Sequence, residues 1–229
     1  MKRFKYLCAE WPVSIPMLAE RLRANPFSDE VGDGFTLERV RNSVIEGRHY
    51  EKVVVNESIS DPFGKESTYE LVTYRDTSFR FSRTYPQIEL RNPPRSIRVF
   101  VNRIAELLQF KVSVESLTVD PLLWADKIKS TGQVAGYVQT IDISGVAVEA
   151  EVSARFGLVG KRDVLSAASK LVAKRAHTVD RLCMRIVSPL GEHSVILSAT
   201  GSVRADDNVP EDVLSLIRDS LPTAESPSI

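Results

Sequence analysis

The sequence predicts an α+β fold in which antiparallel or mixed sheets are covered by amphipathic helices. Three observations favour this class: segments that alternate apolar and polar residues, glycine- and proline-containing turns between them, and separate segments with helical apolar spacing. The composition is ordinary for a globular protein, with 43% hydrophobic and 26% charged residues among 229. This length allows one large domain or two small ones.

The first part of the chain is predicted to consist mostly of strands. An opening strand is followed by a short helix, for which Ser14 is a suitable N-cap with Pro16 in the first turn. A meander of about four strands comes next, broken by turns at Asp61-Pro62-Phe63-Gly64 and Asp76-Thr77. The predicted strands of the meander cover residues 50–57, 67–74, 79–83 and 87–91.

The clearest predicted helix follows Asn92-Pro93-Pro94. Its apolar stripe recurs at helical spacing and consists of Ile97, Val101, Ile104, Ala105 and Leu108. A strand at 110–119 and a short helix after Asp120-Pro121 lead to the best candidate boundary, Ser130-Thr131-Gly132.

The second half reads β-β-α-β-β-α, with Ser144-Gly145 as the first hairpin turn. The strand from Val146 to Phe156 alternates strictly, and a helix follows the glycines of the next turn. We therefore expect an N-terminal α+β unit at 1–130, a C-terminal unit at 131–221, and a flexible, Ser- and Pro-rich tail at 222–229. The order is compatible with two similar β-β-α-β units, although no matching residues show a sequence repeat.

Composition excludes several functional classes. Thirty basic and thirty acidic residues cancel, so no global field attracts nucleic acid or a membrane. No apolar window is long enough to span a bilayer and no signal-peptide core is present, so we expect a cytoplasmic protein that does not bind a membrane. The two cysteines and three histidines lack disulfide or metal-ligand spacing, which predicts neither a metal site nor a cofactor.

A glycine-lysine turn gives the first indication of a binding function. Gly157-Leu-Val-Gly160-Lys161-Arg162 lies between a predicted strand and helix, where backbone N–H groups favour an anion. The spacing differs from a Walker A loop, and no Ser or Thr follows the lysine, which excludes an NTPase. The alternatives are an ordinary solvated turn, with Asp163 offsetting the charge, and a phosphate contact through Gly160, Lys161 and Arg162.

The second indication is an arginine-rich segment, 75–103, in which seven arginines face only two carboxylates and aromatic residues are interleaved. Arginine with aromatic residues on a sheet is typical of single-stranded nucleic-acid binding, whereas solvated arginines and core phenylalanines are the alternative. The candidate nucleic-acid-binding residues here are Arg80, Arg83, Arg91, Arg95, Arg98, Asn102 and Arg103.

Acidic residues suggest two further alternatives. Six carboxylates from Ala205 onward face only Arg218, which either favours self-association against the arginine surface or suits a helix N-terminus. Asp142, Glu149 and Glu151 on neighbouring strands resemble the acid set of a metal-dependent nuclease, but the expected lysine is missing.

These observations favour a non-catalytic binding or assembly protein that contacts the backbone of RNA or single-stranded DNA through the arginine-rich helix and the Gly-Lys-Arg turn. No recognisable catalytic set argues for an enzyme. The alternatives are a metal-dependent phosphoesterase or nuclease and a purely protein-binding subunit, with a protein partner or a second copy as the ligand.

Overall fold

A computed structural model describes residues 1–64, 66–173, 175–188 and 191–223. The strands are β1 Lys2–Glu10, β2 Asp33–Val40, β3 Val44–Ser60, β4 Glu66–Ser82, β5 Ile88–Arg91, β6 Ser113–Ser116, β7 Ala135–Glu149, β8 Val152–Val159, β9 Thr178–Ser188, β10 Gly191–Ser198 and β11 Ser202–Ala205. The helices are α1 Ile15–Arg23, α2 Arg98–Leu107, α3 Pro121–Ser130, α4 Leu165–Val172 and α5 Glu211–Asp219. Within the described ranges, no helix has the length and apolar character needed to cross a membrane.

The chain divides into two compact units. The first consists of Met1–Cys8 together with Glu115–Ile229, and the second is Ala9–Val114. The predicted boundary at Ser130-Thr131-Gly132 lies at the end of α3, inside the first unit. Of the predicted tail, Pro222 is buried, and residues 224–229 lie outside the described residues.

The first unit is an antiparallel sheet with strand order β1-β11-β10-β9-β7-β8. Inward positions alternate along its central strands, so that Met184, Val195 and Leu197 are wholly buried. Helix α3 packs on β9 and β10. Its Trp124 is also wholly buried and donates a hydrogen bond from Nε1 to the carbonyl oxygen of Ile217 at 2.8 Å, which ties α3 to α5.

The second unit contains the antiparallel order β2-β3-β4-β5. Its core is aromatic: Phe79 stacks on Phe81 with ring centroids 4.4 Å apart, and Phe35 and Phe100 pack edge-on or tilted around them. Helix α1 packs on β2 and β3, and α2 supplies Phe100 to the cluster.

The predicted α+β class is wrong. The structure is mostly antiparallel strand, at 49% strand and 21% helix, and the five helices have only eight to ten residues each. The helices are too short to cover sheets whose longest strands reach 17 residues. The two units also do not repeat a β-β-α-β order, because the second contains α1, a four-stranded meander and α2.

Two predicted turns are wrong because a strand continues through each of them. Asp76 and Thr77 lie within β4, where Thr77 is buried and pairs with His49. Gly145 lies within β7 at φ +66° beside a register shift, so it forms an irregularity in a strand that continues to Glu149. The hairpin instead turns at Ala150 and Glu151, and Glu151 has a φ of +61°.

Candidate functional site

Three of the predicted arginines face carboxylates of the second unit. The Nε of Arg80 lies 3.8 Å from Glu46 Oε1, and Arg91 donates from Nε to the buried Glu89 at 2.8 Å. Arg103 lies 2.8 Å from Asp33 Oδ1 and 3.1 Å from Glu106 Oε2. A guanidinium that is already paired binds a phosphate less favourably, so these three side chains have mainly structural contacts.

Arg103 belongs to a partly buried polar network. The other oxygen of Asp33, Oδ2, lies 2.8 Å from Nε2 of His49, whose side chain is only 3% exposed. Asn25 Oδ1 also accepts a hydrogen bond from Arg103 at 3.3 Å. The ring of His49 packs on Phe35 and Phe100. This network therefore joins α2 to β2 and β3 beside the aromatic core.

Four predicted residues are exposed instead: Arg83, Arg95, Arg98 and Asn102. In the part of the chain that the structure describes, the three guanidinium groups have no carboxylate partner. Arg98 and Asn102 lie one helical turn apart on α2, and Arg95 lies three residues before the start of this helix. We call Arg95, Arg98, Val99 and Asn102 the α2 outer face; Val99 is 44% exposed.

Three of the four aromatic residues interleaved with the arginines are not accessible for stacking. Phe79, Phe81 and Phe100 are at most 3% exposed and belong to the core, whereas the fourth, Tyr85, is half-buried. Bases stack only on aromatic faces that solvent can reach. The arginine-and-aromatic pattern thus combines a core face with a charged face, which agrees with the alternative of solvated arginines and core phenylalanines.

The Gly-Lys-Arg turn belongs to the first unit, whereas the arginine-rich segment belongs to the second. Helix α4 begins at Leu165, and Asp163 Oδ1 already accepts a hydrogen bond from the Leu165 N–H at 2.9 Å. Gly160 donates its own N–H to the carbonyl oxygen of Gln139 at 2.9 Å. Lys161 and Arg162 are exposed and precede the helix rather than occupying its first turn.

The three acids of the nuclease alternative are not brought together. Asp142 pairs with Arg181, whereas Glu149 lies seven residues farther along the same strand, about 23 Å away in an extended chain. Among the described residues, no group of three His, Cys, Asp or Glu side chains is placed to hold a metal ion.

Sequence reasoning missed the most conspicuous surface, the outer part of the β3–β4 hairpin. Beyond the ends of β2 and β5, β3 and β4 continue as eight residue pairs, from Val53↔Thr73 to Ser60↔Glu66. We call residues 53–60 and 66–73, with their turn, the arm. No described strand pairs with either outer edge of the arm.

One face of the arm is apolar. Because side chains alternate, the odd-numbered residues share this face. Its large side chains are Val53, Val55, Ile59, Tyr69 and Leu71. All of these except the half-buried Val53 are exposed, and Phe63 in the turn is 95% exposed. The only carboxylate on this face is Glu57, which has no ion-pair partner among the described residues. The run Val53-Val54-Val55 was the available sequence signal, since it leaves neither face of the hairpin fully polar.

Comparisons of the chain with protein-family models and with curated proteins found no match.

Proposed function

We propose that the chain is a non-catalytic assembly protein whose arm binds a second copy of the chain. The observation that carries this proposal is the exposed apolar face of the arm, on strands whose outer backbone edges are unpaired within the described chain. Exposed apolar patches with open strand edges are typical of protein-binding surfaces.

The arm has little to stabilise it alone. A two-stranded ribbon is marginally stable in water, because neither face is covered and half of its backbone groups face solvent. Fully burying an exposed Leu or Ile side chain contributes about 1.5–3 kcal/mol. Leu71 is 46% and Ile59 is 59% exposed, so a covering partner would gain part of this at each position.

Charge complementarity favours a second copy as the partner. On the arm, Glu57 lies among apolar side chains; on the α2 outer face, the exposed Val99 directly follows Arg98. Contact between the two surfaces would bury apolar area and pair Glu57 with a guanidinium. A reciprocal exchange, in which each copy places its arm on the other's α2 outer face, closes as a two-fold dimer.

Light scattering and sedimentation test this proposal with face-specific variants. Val55→Asp with Leu71→Asp places charges on the apolar face and should convert a dimer to a monomer. The matched control, Ser58→Asp with Thr68→Asp, places the same charges on the opposite face of the same strands and should remain dimeric. A wild-type chain that is monomeric at every accessible concentration, or equal dissociation of both variants, would refute the proposal.

A charge exchange tests the choice of partner surface. Glu57→Arg and Arg98→Glu should each weaken the dimer, and the two together should restore it because the opposite charges are paired again. Additive weakening in the double variant would show that the arm binds a different surface.

A second candidate function is contact with a nucleic-acid backbone. It is favoured by exposed cations that have no carboxylate partner within the described ranges: Arg95 and Arg98 in one unit, and Lys161 and Arg162 in the other. Binding of labelled RNA or single-stranded DNA at ~50 mM salt should weaken as salt rises and be lost in Arg95→Glu with Arg98→Glu. Arg23→Glu, an exposed charge change on α1, is the control. We also propose a cytoplasmic location, since Cys8 and Cys183 do not form a disulfide with each other.

A further inference from the structure

The second unit contains a cavity that neither the arm nor the α2 outer face uses. It has a volume of about 440 Å³ and lies where the chain passes from β1 into α1. Its lining residues are Ala9, Trp11, Pro12, Val13, Ser14, Ile15 and Arg83. No carboxylate of the described residues lines it, so the charge that they place at its wall is that of the guanidinium.

Trp11 gives this cavity a fixed planar wall. Its indole Nε1 donates a hydrogen bond to the carbonyl oxygen of Ser82 at 2.8 Å, and its ring packs on Phe81 at 5.1 Å. The ring is half-buried, unlike the core phenylalanines, and therefore remains accessible from the cavity. An indole held by two contacts loses little conformational entropy when a flat ligand stacks on it.

Arg83 follows Ser82 directly and is the one charged side chain among the described residues that line the cavity. It is exposed, and its guanidinium has no partner among the described residues. Ser14 Oγ accepts a hydrogen bond from the Met17 N–H at 3.4 Å, which leaves the hydroxyl proton to donate. The polar groups of the cavity are thus set to donate to an anion next to an aromatic surface.

We propose that this cavity binds a phosphorylated nucleoside, with the base against Trp11 and the phosphate on Arg83. The volume lies within the range of ordinary small-ligand sites. A guanidinium favours a phosphate with two parallel hydrogen bonds, and an indole favours a flat aromatic ring, so the two together select a ligand that carries both groups. The ligand is either a free mononucleotide or one nucleotide of a single strand. The site is independent of the proposed dimer.

Fluorine NMR of the chain labelled with 5-fluorotryptophan tests the site directly. The sequence has two tryptophans, and Trp124 is wholly buried in the first unit, so it serves as an internal reference. Trp11→Phe assigns the two resonances. Adenosine monophosphate, adenosine, inorganic phosphate and a short single-stranded oligonucleotide are titrated separately. The Trp11 resonance should shift saturably with the nucleotide or with the oligonucleotide, and the one that saturates identifies the source of the ligand.

Charge removal separates the phosphate contact from stacking alone. Arg83→Gln should weaken binding by at least about tenfold, corresponding to the loss of one charge-assisted hydrogen bond. Arg23→Gln at the far end of α1 should bind like the wild type, and both variants should melt like the wild type. Equal affinity for adenosine and its monophosphate, unchanged binding by Arg83→Gln, or a Trp11 resonance that no ligand moves would overturn the proposal.

Discussion

The two parts of the β3–β4 hairpin form one continuous register but have opposite environments. In the inner part, residues 44–51 and 75–82, β2 and β5 flank the hairpin, and Ile45 and Phe81 are wholly buried. In the arm, the same two strands continue without flanking strands, and Val55, Ile59 and Leu71 are exposed. Strand pairing alone therefore does not determine burial; flanking strands and helices do.

The difference shows where a long hairpin obtains its stability. The inner part is stabilised by an aromatic core and a polar network, whereas the arm has only cross-strand pairs, each contributing about 0.2–1 kcal/mol. The arm is therefore the part of the hairpin most open to stabilisation by a partner. Three measurements follow from this contrast.

The largest expected effect is loss of the aromatic core. Phe81→Ala removes a wholly buried ring that stacks on Phe79, and should lower the free energy of unfolding by about 3–5 kcal/mol. Leu71→Ala, in the arm part of the same strand, should cost within about 0.5 kcal/mol at low protein concentration. Denaturant unfolding followed by the emission of Trp11, which packs on Phe81, measures both. Equal costs would mean that the arm is buried in the isolated chain.

An intermediate effect is expected from the polar network. Asp33→Ala leaves His49 Nε2 and Arg103 without their shared carboxylate, which should cost about 2–3 kcal/mol. The control is Asp76→Ala, which removes one of the two exposed carboxylate partners of Arg48, the other being Glu38, and should cost less than about 1 kcal/mol. Thermal melting of the two variants compares them. A similar loss in both would show that the network contributes no more than a surface ion pair.

The smallest expected effect lies where the arm begins. Tyr74 donates a hydrogen bond to Asp29 Oδ1 at 2.8 Å, and this bond, with lesser contributions from desolvation and the nearby negative charge, raises the pKa of Tyr74. A raised folded-state pKa means that the stabilisation is present below the unfolded tyrosine pKa of about 10 and is lost as pH rises through the folded value.

Absorbance titration of phenolate formation, taken as the difference between wild type and Tyr74→Phe, measures this pKa. Asp29→Asn should lower it, because the charged acceptor is removed. An unchanged titration in Asp29→Asn would show that the hydrogen bond does not form in solution.

Local signals in the sequence were sufficient for some elements. The helix at α2 is confirmed, because Ile104 and Leu108 of its predicted apolar stripe are buried, and Ser14 caps α1 as predicted. The turn at Asp61–Gly64 is also confirmed by the Gly64 N–H, which bonds to the carbonyl oxygen of Asp61 at 3.0 Å. These features depend on residues close together in the chain.

Features set by distant residues were not predictable from local patterns. Nothing near Asp76 indicates that Tyr50 pairs with it and keeps the strand extended. Arg80 pairs with Glu46 and Arg103 pairs with Asp33, and both carboxylates are remote in sequence. The sequence therefore did not show that these two arginines already have partners within the chain. The arm was missed because exposure depends on where the flanking strands end.

The division of the chain has a consequence for synthesis on the ribosome. The first unit begins with Met1–Cys8 and resumes only at Glu115, so the whole of the second unit is translated in between. Strand β1 pairs with β11, joining Lys2 to Ala205, so this pairing cannot form until the chain has been translated as far as Ala205. We expect the nascent chain to complete the inserted unit first and to form the β1–β11 pairing late, as a non-local step in folding.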